Sequence, residues 1–92
     1  MIHHVQISEK AKKALRKIPV FIAVKLQDWI EDVEERGLET VRKTSGYHDE
    51  PCKGALTGFR SIRLSRSYRA YYRIIKDRIE FILVERIDKH EY

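Results

Sequence analysis

The sequence predicts an α+β fold in which an N-terminal strand and a helical hairpin are followed by antiparallel β-strands forming a small sheet, in the order β-α-α-β-β-β. Three observations predict it. Apolar residues recur at helical spacing between positions 11 and 33, the composition turns to β-branched, aromatic and arginine residues after Gly58, and polar turn residues then fall at hairpin intervals. The 92 residues suffice for one domain, assigned to 1–92, with one modest core.

Ile2, Val5 and Ile7 sit among His3, His4 and Gln6 in a β-like stretch, and Ser8 then offers a helix N-cap. Ala11, Leu15 and Ile18 share one face of the first helix, whose other face carries Lys12, Lys13, Arg16 and Lys17; Pro19 breaks or restarts it. From Val20, the positions Ile22, Leu26, Trp29, Ile30 and Val33 recur with helical period, with Asp28, Glu31, Asp32 and Glu35 largely outside. Gly37 supplies a left-handed C-cap. Leu38 to Lys43 adds a helical turn, and Thr44 to Gly58, with Gly46, Pro51, Gly54 and Gly58, reads as the one long loop. Ser61 to Leu64 alternates as a half-buried strand, Ser65-Arg66-Ser67 turns the chain, Tyr68 to Ile75 is the next strand, Lys76-Asp77 a tight turn, and Arg78 to Val84 the last strand before a tail. Tyr68, Tyr71, Tyr72 and Ile75 also fit a basic recognition helix. Strands are preferred because tyrosine and isoleucine favour pleated surfaces.

The charge is unevenly placed. Residues 1–50 hold nine Lys/Arg and nine Asp/Glu, whereas residues 51–92 hold ten against five, so the whole net charge of +5 lies in the C-terminal half. This asymmetry points to a polyanionic partner, although a basic surface that only aids solubility would give the same count. Cys52 is the only cysteine, which excludes an intrachain disulfide and favours a reducing compartment. No apolar run approaches a membrane span and no signal-peptide pattern opens the chain, so a cytoplasmic location with no membrane partner is expected.

Arg60, Arg63, Arg66, Arg69 and Arg73 occur between Phe59 and Ile75 without a single acid. In strands, Arg69 and Arg73 share a face with Tyr71, giving a basic surface interleaved with tyrosine. Guanidinium forks pair with phosphates, and tyrosine rings stack on unpaired bases. The competing reading ties these arginines to the acidic outer face of the second helix. Near the last strand, Arg86, His90 and Tyr92 place a proton-transferring imidazole beside cations able to stabilise a phosphate. His3 and His4, as adjacent strand residues, point to opposite faces and are assigned no metal. Trp29 is expected in the core.

Lys53-Gly54, Ser61-Ile62-Arg63-Leu64, Tyr68-Arg69-Ala70-Tyr71-Tyr72 and Lys89-His90-Glu91-Tyr92 together resemble the RelE/HigB branch of the RelE/ParE toxin superfamily, and the order of elements does so over nearly the whole chain. The resemblance implies a RelE-like fold and a type II toxin that cleaves mRNA in the ribosomal A site, with no metal or other cofactor. The nucleotide's 2′-hydroxyl would attack the adjacent phosphate. Arg63 and Arg69 match the strand positions that hold the scissile phosphate. Arg86, His90 and Tyr92 fall where the family's C-terminal catalytic residues lie, with His90 as general acid or base and Tyr92 stacking on or orienting the substrate. Lys53, Arg60, Arg66, Tyr71 and Arg73 complete the RNA-binding set. Ala55-Leu56 and Phe59 depart from the lysine-rich stretch of similar toxins. The implied partners are the ribosome, mRNA and a cognate antitoxin with a helix-turn-helix DNA-binding domain, DNA being reached only through the antitoxin. Three alternatives share these residues: a ParE-like inhibitor of DNA gyrase on the same fold, which needs no acid/base pair, a non-catalytic nucleic-acid-binding module, and a degenerate, inactive toxin, which the apolar loop leaves open.

Overall fold

The structure, a computed structural model, describes residues 2–76 and 80–89. Strand β1 (Val5–Ile7) leads into helices α1 (Glu9–Leu15), α2 (Val20–Arg36) and the short α3 (Leu38–Val41). Strands β2 (Glu50–Pro51), β3 (Arg60–Arg63), β4 (Tyr68–Lys76) and β5 (Glu80–Lys89) follow. They form one sheet in the order β1-β5-β4-β3-β2. β2 to β5 pair antiparallel, as expected, while β1 joins the sheet in parallel with β5, setting Val5 opposite Ile82 and Ile7 opposite Val84. The fold class is the one predicted, and the sheet is mixed.

Local chemistry accounts for the helix boundaries. Ser8 Oγ accepts a hydrogen bond from the Ala11 amide (3.0 Å) and donates one to the Glu85 carbonyl (2.8 Å), so the N-cap also fastens α1 to β5. Pro19 starts α2 without losing a needed donor, because the first helical N–H groups have no acceptor within the helix. Gly37 stops α2 with φ +85° and ψ 150°, a conformation open only to glycine but not the left-handed helical cap expected; its amide donates to the Val33 carbonyl (2.8 Å).

α2 buries Ile22, Leu26, Trp29, Ile30 and Val33 against one face of the sheet, where Ile62, Ala70, Tyr72, Ile82, Val84 and Ile87 complete the core. Trp29 is fully buried, its ring centroid 5.2 Å from that of Tyr72. Each fully buried aliphatic side chain contributes roughly 1.5–3 kcal/mol.

Two regions differ from the expectation. The long loop contains β2 and two 3-10 turns, Ser45–Tyr47 and Gly54–Leu56. It is anchored: Tyr47 is buried, its hydroxyl donates to Asp32 Oδ2 (2.7 Å), and Lys25 lies 4.8 Å from its ring. The last strand does not stop at Val84 but runs to Lys89, so Arg86 belongs to the sheet and not to a tail. The cause is a β-bulge: Tyr72 faces Val84 but Tyr71 faces Arg86, which leaves Glu85 as an extra residue. The bulge reverses the alternation, keeping Val84 and Ile87 both buried although they are three apart. The turn expected at Lys76-Asp77 and the strand start at Arg78 fall partly outside the described residues.

Candidate nucleic-acid interface

Directly opposed residues in an antiparallel pair project to the same side of a sheet, so the register assigns every side chain a face. On the side away from the helices, one row runs Glu50, Ser61, Tyr71, Arg86, and the next runs Arg63, Arg69, Asp88. Arg73, two residues beyond Tyr71, extends the same face. Four predicted site arginines, Arg63, Arg69, Arg73 and Arg86, are thereby brought together with Tyr71. Arg86 reaches this face only because of the bulge.

The arginines are not equivalent. Arg73 is bound to Glu85 (2.6 Å) and lies 5.8 Å from the Phe59 ring, while Arg86 is bound to Asp88 (2.7 Å) and lies 5.8 Å from the Tyr71 ring. Arg69 Nη1 donates to Ser61 Oγ (3.3 Å), a hydroxyl otherwise buried. Neither Arg63 nor Arg69 has a salt bridge among the described residues, and they stand directly opposite each other across β3 and β4. Two like charges in that position cost stability. They also create a site where a phosphate would be welcomed by two guanidinium groups.

Tyr71 holds its proton more tightly than an ordinary phenol, first through burial, then through the charges of Asp88 and Cys52, with Arg69 and Arg86 opposing. It therefore offers a neutral ring and hydroxyl. Arg86 Nε is buried and has no hydrogen-bond partner among the described residues.

The remaining predicted residues are placed differently. Arg66 is exposed at the β3–β4 turn, where Ser65 Oγ accepts from the amides of Ser67 (3.1 Å) and Tyr68 (3.2 Å). Lys53 is exposed just before the turn Gly54–Leu56. His90 and Tyr92 lie outside the described residues. Arg60 does not join the outer face. It stands opposite Tyr72 on the helix side of the sheet, bound through Nε to Asp49 (2.5 Å), whose side chain is fully buried. The Tyr72 hydroxyl donates to the other oxygen of the same carboxylate, and burial together with that bond lifts its proton affinity far above the usual phenol range. Burial works against the charge on Arg60, and the bond and charge of Asp49 outweigh it, so Arg60 stays charged.

The acids that hold arginines are thus Asp49, Glu85 and Asp88, not the outer face of α2, where Asp32 binds Arg36 instead. Sequence reasoning missed these and also missed Glu50 as a member of the outer face, although the alternation with Ile62 and Leu64 sets Ser61 on the side of Arg63. Only the strand register brings Glu50 there. Among the described residues, no group of three His, Cys, Asp or Glu is arranged to hold a metal ion, and no helix is long and apolar enough to cross a membrane.

No curated protein matches the sequence. The fold is shared with solved structures at low identity. The toxin–antitoxin complex RelBE2 from Mycobacterium tuberculosis has a chain 24% identical, with 95% of this chain and 96% of that one covered and a TM-score of 0.66. The YoeB/ParE toxin from Agrobacterium tumefaciens is 18% identical over 96% and 99% of the two chains, with a TM-score of 0.68. YafQ from Escherichia coli is 17% identical over 92% and 90%, with a TM-score of 0.66. At the level of sequence, the model of the family described as the ParE toxin of the type II toxin–antitoxin system parDE matches residues 5–91. The chain belongs to that family and is a type II toxin of the RelE/ParE superfamily.

Proposed function

We propose that this toxin is a ribosome-dependent endoribonuclease that cleaves mRNA in the A site and so arrests translation, without a metal or other cofactor. The observation that carries the reading is the Arg63–Arg69 pair, which has no salt bridge among the described residues, set beside Tyr71 on the solvent side of the sheet. In the reaction, the 2′-oxygen bonds to the adjacent phosphorus, the bond to the 5′-oxygen breaks, and the products are a 2′,3′-cyclic phosphate and a 5′-hydroxyl end. Three needs follow: a base for the 2′-hydroxyl proton, cations for the charge gathering on the phosphoryl oxygens, and an acid for the leaving oxygen.

Arg63 and Arg69 meet the second need, with Ser61 orienting Arg69. His90 is assigned proton transfer and Tyr92 substrate stacking from their positions after β5. Glu50 adds a proton acceptor from the opposite end of the same register row: it is exposed and has no salt bridge among the described residues, unlike Glu85 and Asp88. Arg86, freed from Asp88 by an incoming phosphate, adds a third cation, while Lys53, Arg66, Tyr71 and Arg73 contact the strand on either side. The cognate antitoxin, carrying a helix-turn-helix domain that provides the only link to DNA, holds the toxin inactive in the cytoplasm.

The test is expression in a repressible bacterial host with mapping of new mRNA 5′ ends by primer extension. Discrete cuts within translated codons are expected, and Arg69→Ala should reduce them roughly 10²–10³-fold. A second reading, inhibition of DNA gyrase, is favoured by one observation: the matching family model is that of parDE toxins. Growth arrest without cuts, together with inhibited supercoiling by purified gyrase, would replace the nuclease with that reading.

A further inference from the structure

Arg60 belongs by sequence position with the other arginines of its run, yet the structure turns it to the opposite side of the sheet. There it lines a cleft of about 320 Å³, together with Glu39, Arg42 and Lys43 among the described residues. Arg42 and Lys43 follow directly on α3, are exposed, and have no salt bridge among the described residues. Arg60 is built in rather than free: its side chain is 24% exposed, against 0% for the Asp49 carboxylate that holds it, and its Nη2 also donates to the Asp49 carbonyl (3.4 Å). Burying such a pair carries a desolvation cost. The interior could have been filled more simply with apolar side chains, so what the pair adds is a guanidinium fixed at the cleft wall.

Formal charge favours an anion in the cleft. Among the described residues, Asp49 offsets Arg60 and Glu39 balances one of Arg42 and Lys43, which leaves one positive charge over. One singly charged anion fits that balance. The volume, at the lower end of small-ligand sites, admits a phosphate with the sugar attached to it.

The geometry points to a second backbone-phosphate site, formed by Arg42, Lys43 and Arg60, that binds a phosphodiester of the RNA strand beyond the one held on the outer face. This inference rests on the RNA reading above. It requires the strand to pass from the outer face over the β2 edge of the sheet. That edge is short: β2 has two residues, and Pro51 cannot donate a hydrogen bond to a further strand. A single-stranded RNA can round such an edge, and a rigid duplex cannot.

The experiment measures binding of labelled 2′-O-methyl oligoribonucleotides, which lack the attacking hydroxyl, to the full chain as a function of length and salt. Three proteins are compared with the wild type: an Arg42→Gln/Lys43→Gln double variant, Glu39→Gln, and Arg63→Ala/Arg69→Ala. For a dinucleotide the double variant should match the wild type, whereas for longer strands it should bind several-fold more weakly, with a salt slope shallower by roughly 0.7 for each phosphate no longer neutralised. Glu39→Gln should bind longer strands more tightly. Glu39, Arg42 and Lys43 are exposed, so unchanged thermal melting is expected for the two cleft variants and is checked alongside. Equal affinity and equal salt slope at every length would overturn the second site. Loss of binding to the dinucleotide in Arg63→Ala/Arg69→Ala tests the outer face separately, and undiminished binding there would show that Arg63 and Arg69 do not hold a phosphate, whatever the cleft does. In parallel, inorganic phosphate titrated into isotope-labelled protein should shift the amides of Glu39 to Lys43 saturably. A saturable shift without any length effect would overturn RNA as the occupant in favour of a small free anion.

Discussion

The two sides of this sheet are built from the same strands and obey opposite rules. The helix side is packed: Trp29, Tyr72, Ile62, Ile82 and Val84 are at most 1% exposed, and the fully buried Asp49 carboxylate is matched by both Arg60 and the Tyr72 hydroxyl. The solvent side sets Arg63 directly against Arg69, with no acid bound to either among the described residues. A sheet selected only for stability would not keep that arrangement. The difference teaches that stability and activity are assigned to separate faces, and that a substitution should disturb one without the other.

The largest effect that would sharpen this separation is expected from Trp29→Ala, which removes the largest fully buried side chain. It should cost roughly 3–5 kcal/mol in a urea unfolding curve. Arg69→Ala is the contrasting variant. Its stability should be unchanged or higher by about a few tenths of a kcal/mol, because a like-charge pair is relieved, while cleavage falls. If Arg69→Ala instead unfolded the protein, the guanidinium would be a structural element and the two faces would not be separable.

Next in size is Asp49→Asn, which tests the ion pair on the packed side. Removing one partner of a buried ion pair leaves the other uncompensated, and here Arg60 and Tyr72 both depend on the same carboxylate. A loss of about 3 kcal/mol is expected at neutral pH, reduced somewhat because Arg60 keeps partial access to water. Replacing Arg60 and Asp49 together with apolar residues of similar volume should restore much of it. A double variant no more stable than Asp49→Asn alone would show that the loss lies in the Tyr72 hydroxyl left without its acceptor rather than in an uncompensated Arg60 charge.

Much of the packed side was legible in the sequence, because burial leaves a periodic trace. The spacing of Ile22, Leu26, Trp29, Ile30 and Val33 gave the helix and its face, and Ser8 and Gly37 marked two helix ends. The solvent side was legible in composition but not in geometry. The run from Arg60 to Arg73 signalled a polyanionic partner, yet a run cannot say which arginine turns inward. That depends on Asp49 and on the register of β3 with β4, both set by long-range contacts. The bulge at Glu85 hid the end of β5 for a related reason, since one inserted residue breaks the period of two by which a strand is recognised. Glu50, in a strand of two residues, leaves no periodic trace at all.

The smallest expected effect concerns the segment between the two faces, the loop held to α2 through Tyr47. Its hydroxyl bond to Asp32 is the largest cause lowering that carboxyl below the usual carboxylate range, with burial opposing and Arg36 and Lys25 assisting. A carboxyl whose affinity for protons is lowered by folding stabilises the protein above its unfolded value, and this contribution is lost as pH falls through the folded value. Tyr47→Phe keeps the ring and removes the bond. The variant should therefore be less stable by about 1 kcal/mol near neutral pH, and the gap should close on acidification through the carboxylate range, because the wild type loses there what the variant never had. Urea unfolding at a series of pH values reads both curves. A gap that stays constant with pH would mean that Tyr47 acts through packing alone, and would place the loop with the core rather than with the ionised surface that borders the arginines.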